Sequence, residues 1–110
     1  MQFSASFIAA VVAIASTASA NSCVKQYNGL NRYIVETSGS PSGISGWCGG
    51  LWDNLKRFPI CNPSQTFCGA VGNSNNLRWE FTASSSCNGG HVESTWWEAT
   101  KNELGSIDCP

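Results

Sequence analysis

The sequence predicts an α+β, two-layer sandwich. The expected order is the ferredoxin-like β-α-β-β-α-β, with a four-stranded antiparallel sheet, two helices on one face and disulfide staples. Three observations carry this expectation. Leu77, Trp79 and Phe81 alternate with Arg78, Glu80 and Thr82, the period of a strand buried on one side. Ile44, Trp47, Cys48, Leu51, Trp52, Leu55 and Phe58 recur at helical spacing as one continuous apolar stripe. Six cysteines stand in a chain of 110 residues that is 42% hydrophobic and 12% charged. That length suits a single domain.

Residues 1–20 carry no charged side chain, hold an apolar stretch over 7–15, and end on Ala18-Ser19-Ala20, the small-x-small form of a signal-peptidase site. The apolar stretch is too short to cross a hydrocarbon core of ~30 Å. A cleaved signal peptide over 1–20 and a single domain over 21–110 are expected, with no membrane insertion.

Residues 30–37 (LNRYIVET) are rich in β-formers and read as the first strand. Residues 38–43 are a loop of Ser, Gly and Pro. The helical stripe follows, with Ser42 or Ser45 as cap, Pro59 as stop, and Lys56 and Arg57 in the last turn, where cations suit the helix dipole. Gly46, Gly49 and Gly50 weaken this helix by up to about 1 kcal/mol each relative to Ala. Residues 65–71 form a second strand, 72–76 a turn and 77–82 a third strand, together a hairpin with one solvated face.

In the tail, Val92, Trp96 and Ala99 have helical spacing, and Thr95 with Glu98 matches a capping box. The competing reading makes Asn88-Gly89-Gly90 a hairpin turn. The helix is favoured, because Glu93, Glu98 and Lys101 are poor strand residues. Residues 104–109 complete the sheet as a short fourth strand.

All six cysteines, Cys23, Cys48, Cys61, Cys68, Cys87 and Cys109, lie after the leader. An even number in a short exported chain reads as three disulfides, which places the protein outside the cell. In the expected topology Cys48 on the first helix faces Cys68 in the second strand, so this pair is predicted. The other four fall at one end of the sheet and are open among three pairings, with Cys23–Cys109 and Cys61–Cys87 preferred. No C-x-x-C occurs and His91 is the one histidine, so zinc-ligand spacing is absent and neither metal nor cofactor is expected. No N-x-S/T sequon occurs.

The net charge of -1, with scattered basic residues, argues against a nucleic-acid partner, because phosphate neutralisation needs a basic surface. An antimicrobial protein is a third reading, against which the same charge argues, since those use cationic surfaces. Any imidazole acid–base chemistry must use His91. The best hydrolase that the sequence allows is a small secreted guanyl-specific ribonuclease, with His91, Glu80 or Glu93 as acid and base and Arg78 on the phosphate. Spacing singles out no acid pair, and exposed structural roles are the simpler reading for all of these residues. Of five tryptophans, Trp47, Trp52, Trp79 and Trp96 fit the core, whereas Trp97 points elsewhere than Trp96 and is a possible contact residue. The open sheet face, bearing Arg32, Arg78, Glu80 and Thr82, is the second candidate contact surface. Lys56-Arg57 has the form of a dibasic processing site, against the simpler reading of helix-terminal cations.

A leader, a domain of this size, six cysteines and this element order, with a cysteine on the first helix, resemble the killer-toxin-like small secreted cysteine-rich proteins of fungi. The resemblance spans residues 23–110 and rests on pattern. It implies a monomeric, non-enzymatic effector or toxin that acts outside the cell on a host or competitor protein or glycan, and it carries no functional residue over to this chain.

Overall fold

A computed structural model describes residues 21–38, 41–73 and 75–110. The signal peptide expected over 1–20 falls outside the described residues. The elements are β1 (Ser22–Tyr27), β2 (Asn31–Glu36), α1 (Ile44–Leu55), a short 3-10 turn (Pro59–Cys61), β3 (Ser64–Val71), β4 (Asn76–Ala83) and α2 (Gly89–Thr100). All strand pairs are antiparallel and the sheet order is β1-β2-β4-β3.

The two central strands are made by one-sided burial. Tyr33 and Val35 of β2 and Leu77, Trp79, Phe81 and Ala83 of β4 are buried, whereas Arg32, Ile34, Glu36, Arg78, Glu80 and Thr82 are half-buried. Tyr33 stands opposite Phe81 and Val35 opposite Trp79, so the buried residues share one face. Both helices cover that face. Trp79 lies at its centre, with ring centroids 4.9 Å from Phe81, 6.0 Å from Trp52 and 6.3 Å from Trp96. Leu51 and Leu55 of α1 and Val92 of α2 complete the core. Burying each large side chain contributes about 1.5–3 kcal/mol, so the register of β2 on β4 is strongly specified.

The α+β class, the antiparallel sheet, the two helices and the three bridges agree with the expectation. The element order does not: it is β-β-α-β-β-α. Residues 104–109 form no strand, and the edge place beside β2 is filled by β1. The tail carries Gly105 at φ +84° and Asp108, both poor in a ladder. It is held by side chains instead. The Asn21 amide donates to the carbonyls of Leu104 (2.7 Å) and Ser106 (3.3 Å), and the Cys109 N–H donates to Glu93 (2.7 Å). β1 escapes a periodicity reading because five of its six residues are exposed. The tight turn at Asn28-Gly29-Leu30, with Gly29 at φ +83°, folds it back onto β2.

Helix ends also differ from expectation. Gly43, at φ +72°, caps α1 in place of Ser42 or Ser45, and the Ser42 carbonyl instead accepts the Trp47 indole N–H at 3.0 Å. Lys56 and Arg57 follow α1 in a turn, outside its last turn. In α2 the cap is Asn88, whose side chain accepts the His91 N–H (3.1 Å) while His91 Nδ1 accepts the Asn88 N–H (3.0 Å). This reciprocal box replaces the Thr95–Glu98 pair; Thr95 is buried within the helix and donates its hydroxyl to the His91 carbonyl.

The bridges are Cys23–Cys109, Cys48–Cys68 and Cys61–Cys87, the predicted pair and the preferred two. The premise that four cysteines share one end of the sheet is corrected. Cys23 pairs with Val35 near the end of β2, whereas Cys61 and Cys87 flank the start of β3 and the end of β4, at the opposite end. The exchange of β1 for the expected fourth strand moves one bridge.

Candidate functional site

The face of the sheet turned away from the helices carries a charged ladder. Cross-strand register sets Glu36 beside Arg78 and Ile34 beside Glu80, with Arg32 beside Thr82. Arg32 donates to Glu80 at 2.9 Å, and Arg78 lies 3.4 Å from Glu36 and 4.0 Å from Glu80. Two cations and two carboxylates thus neutralise one another. Exposed Val24 and Phe67 flank the ladder.

At the end of this face nearest the β1–β2 turn lies a depression of about 290 Å³. Arg32 and Thr82 form its floor, Gln26, Asn28 and Leu30 one wall, and Ser64 and Gln65 the other. The Arg32 guanidinium is held by three acceptors: Glu80 (2.9 Å), the Thr82 hydroxyl (2.9 Å) and the Gln65 carbonyl (3.1 Å). The Thr82 hydroxyl in turn donates to Gln65 Oε1 at 3.2 Å. Gln65 sits where the β3–β4 ladder is broken between Ser64 and Phe67, with φ +50°. A left-handed conformation costs a residue with a Cβ about 1–2 kcal/mol. Among the described residues the other non-glycine cases are asparagines and Lys101, which caps α2. Gln65 has no capping role, and its strain accompanies a bulge that re-aims its backbone toward Arg32.

The residues of the hydrolase reading are not assembled. Arg78 and Glu80 lie on the open sheet face, and His91 lies on α2 in the helical layer. His91 is engaged as a helix cap and packs on Phe58, with ring centroids 4.9 Å apart. Glu93 accepts the Cys109 N–H. Among the described residues one group of three possible metal ligands occurs, Cys61, Cys87 and His91, within 4.8 Å of one another. Both sulfurs are joined in the disulfide, so the group presents no thiolate.

Trp97 is 51% exposed, with the Lys101 ammonium 5.3 Å from its ring centroid. It belongs to the helical layer, so Trp97 and Arg78 do not share a surface. Lys56 and Arg57 are exposed, near Asp53 (3.4 Å) and Glu98 (3.3 Å) respectively. Among the described residues, no helix is long and apolar enough to cross a membrane. The depression escaped sequence reading because its lining comes from four strands and one turn.

No family model, curated protein or solved structure matches this chain.

Proposed function

We propose that this protein is a secreted, non-enzymatic binding domain of the effector or toxin-like kind, akin to the killer-toxin-like proteins of fungi. It acts outside the cell by presenting a rigid surface to a host or competitor component, and works as a monomer. The observation that carries this reading is the separation of the candidate catalytic groups. His91 is spent on a helix cap on one side of the sheet, while on the other side Glu80 is paired with Arg32 and Arg78 with Glu36. The three disulfides support an extracellular place of work, since such bridges persist where thiols are not kept reduced.

The test is incubation of the purified, disulfide-bonded protein with RNA, beside a His91→Ala variant. No cleavage above the buffer control is expected from either. Cleavage by the parent that the variant loses overturns the non-enzymatic reading. The extracellular reading is tested by thiol counting on protein collected from the growth medium: no free thiol is expected, and six reactive thiols refute it.

A further inference from the structure

We infer that the depression on the open sheet face is a subsite for a neutral sugar unit of an extracellular oligosaccharide. The inference rests on the reading of the chain as an extracellular binding domain and names its ligand class.

The chemistry of the lining selects the ligand. The one cation on the floor, Arg32, is already neutralised by Glu80 at 2.9 Å. A phosphate or carboxylate would therefore meet no unopposed charge there and would have to displace a hydrogen-bonded carboxylate. The exposed lining is mostly carbon, but it carries the side-chain amides of Gln26, Asn28 and Gln65 and the hydroxyl of Ser64, which a wholly apolar ligand would cover. Burying these groups against hydrocarbon would leave them unpaired. Each amide offers both donors and an acceptor, the complement of a ring bearing several hydroxyls. Leu30, 49% exposed, supplies apolar contact for a C–H face.

The site is also held ready before any ligand arrives. Two hydrogens of Arg32 Nη1 go to Gln65 and Thr82, and Nη2 gives one to Glu80. That leaves one Nη2 hydrogen and Nε–H as fixed donors of its five. The chain Arg32 to Thr82 to Gln65 occupies Gln65 Oε1, so the Gln65 amide NH2 is the end left to donate. The left-handed backbone at Gln65 is what turns its carbonyl onto Arg32, and pre-organisation of this kind lowers the ordering cost of binding. At about 290 Å³ the depression is at the small end of ligand sites, which suits one unit of a longer chain.

The experiment is an NMR titration of the uniformly ¹⁵N-labelled, disulfide-intact protein. The probes are uncharged oligomers of four to six units: gluco-, manno- and N-acetylglucosamine-oligosaccharides. At least one series is expected to shift the backbone amides of Arg32, Gln65 and Thr82 and the side-chain NH2 signals of Gln26, Asn28 and Gln65, and to leave Trp97 unmoved. A Gln26→Ala/Asn28→Ala double variant changes two exposed side chains on and beside the edge strand, so its fold is kept, and it is expected to weaken binding about tenfold or more. Gln65→Asn tolerates the left-handed backbone, shortens the amide and is expected to act in the same direction. The proposal is overturned if no series shifts these signals at millimolar sugar, if the shifts cluster at Trp47 or Trp97, or if the double variant binds as the parent does. These results leave the RNA test untouched, and RNA cleavage leaves the titration untouched, so the two readings fail separately.

Discussion

Replacing Gly89 by alanine probes how the tail is docked. A Cβ built at Gly89 falls 2.5 Å from the Cys109 carbonyl oxygen, 2.6 Å from that of Pro110 and 2.9 Å from the Cys109 carbonyl carbon. All three are backbone atoms, so no side-chain rotation relieves the contact. The tail cannot swing away freely either, because Cys109 is bridged to Cys23 and its N–H is bound by Glu93 at 2.7 Å. The substitution therefore displaces the first turn of α2 or the bond to Glu93. Losing a hydrogen bond to a charged acceptor costs about 1.5–3 kcal/mol. The helix-propensity gain of Gly→Ala returns at most about 1 kcal/mol. A net loss of about 1–2 kcal/mol is expected, and each kcal/mol lowers Tm by roughly 4–8 °C for a domain of this size. The assay is thermal unfolding with disulfides intact, with Gly49→Ala alongside. Gly49 is helical and has nothing within 4 Å of its Cβ position, so that variant is expected to gain about 0.5–1 kcal/mol. If Gly89→Ala melts with the parent, or both variants shift in the same direction, the close approach of tail and helix is refuted.

Other consequences can be measured in the same way. Tyr33 is fully buried with no hydrogen-bond partner for its hydroxyl, so Tyr33→Phe should leave urea stability unchanged or raise it, and a loss above about 1 kcal/mol refutes the orphaned hydroxyl. Burial also raises the Tyr33 pKa above the ordinary phenol value of 10.0. The unfolded chain then gives up this proton first, so stability is unaffected below pH 10 and falls as pH rises beyond it; a flat alkaline limb in denaturation would contradict this. Removing the bridge of separation 86 by Cys23→Ala/Cys109→Ala should cost about 4–5 kcal/mol, and removing that of separation 20 by Cys48→Ala/Cys68→Ala about 3, on the loop-entropy account. Reversal of this order in denaturant midpoints counts against that account. Asn88→Ala deletes the cap of α2 and should cost about 0.5–2 kcal/mol, read by far-UV circular dichroism during urea unfolding.

What sequence periodicity could see was set by burial. β4 and α1 were legible because Leu77, Trp79 and Phe81, and Cys48, Leu51 and Leu55, each present one side to the core. β1 was invisible because Val24, Lys25, Gln26 and Tyr27 are all exposed, and hydrophobic alternation cannot register a strand that buries almost nothing. The tail looked like a strand because Leu104, Ile107 and Cys109 pack on the core as strand residues would, although their backbone pairs with side chains. The disulfides were readable in spite of that error. Cys48–Cys68 needs only the helix-over-sheet layering, and Cys61–Cys87 only the β3–β4 pairing, both correctly placed. At the candidate site, Arg32, Arg78, Glu80 and Thr82 were legible on the open face from strand alternation, but Arg32 and Thr82 meet Gln65 through cross-strand register and a bulge, which no local pattern encodes.

The Cys23–Cys109 link turns the span between those residues into a covalent ring. Tension applied at Cys23 and Cys109 runs through sulfur and leaves the sheet and helices unloaded. A threading machine that pulls a polypeptide through a narrow pore would meet a loop two strands thick until that link was cut. Resistance to such pulling is therefore set first by the redox state of this outermost cystine, then by the Cys48–Cys68 and Cys61–Cys87 links inside it, separately from the free energy of the packed core.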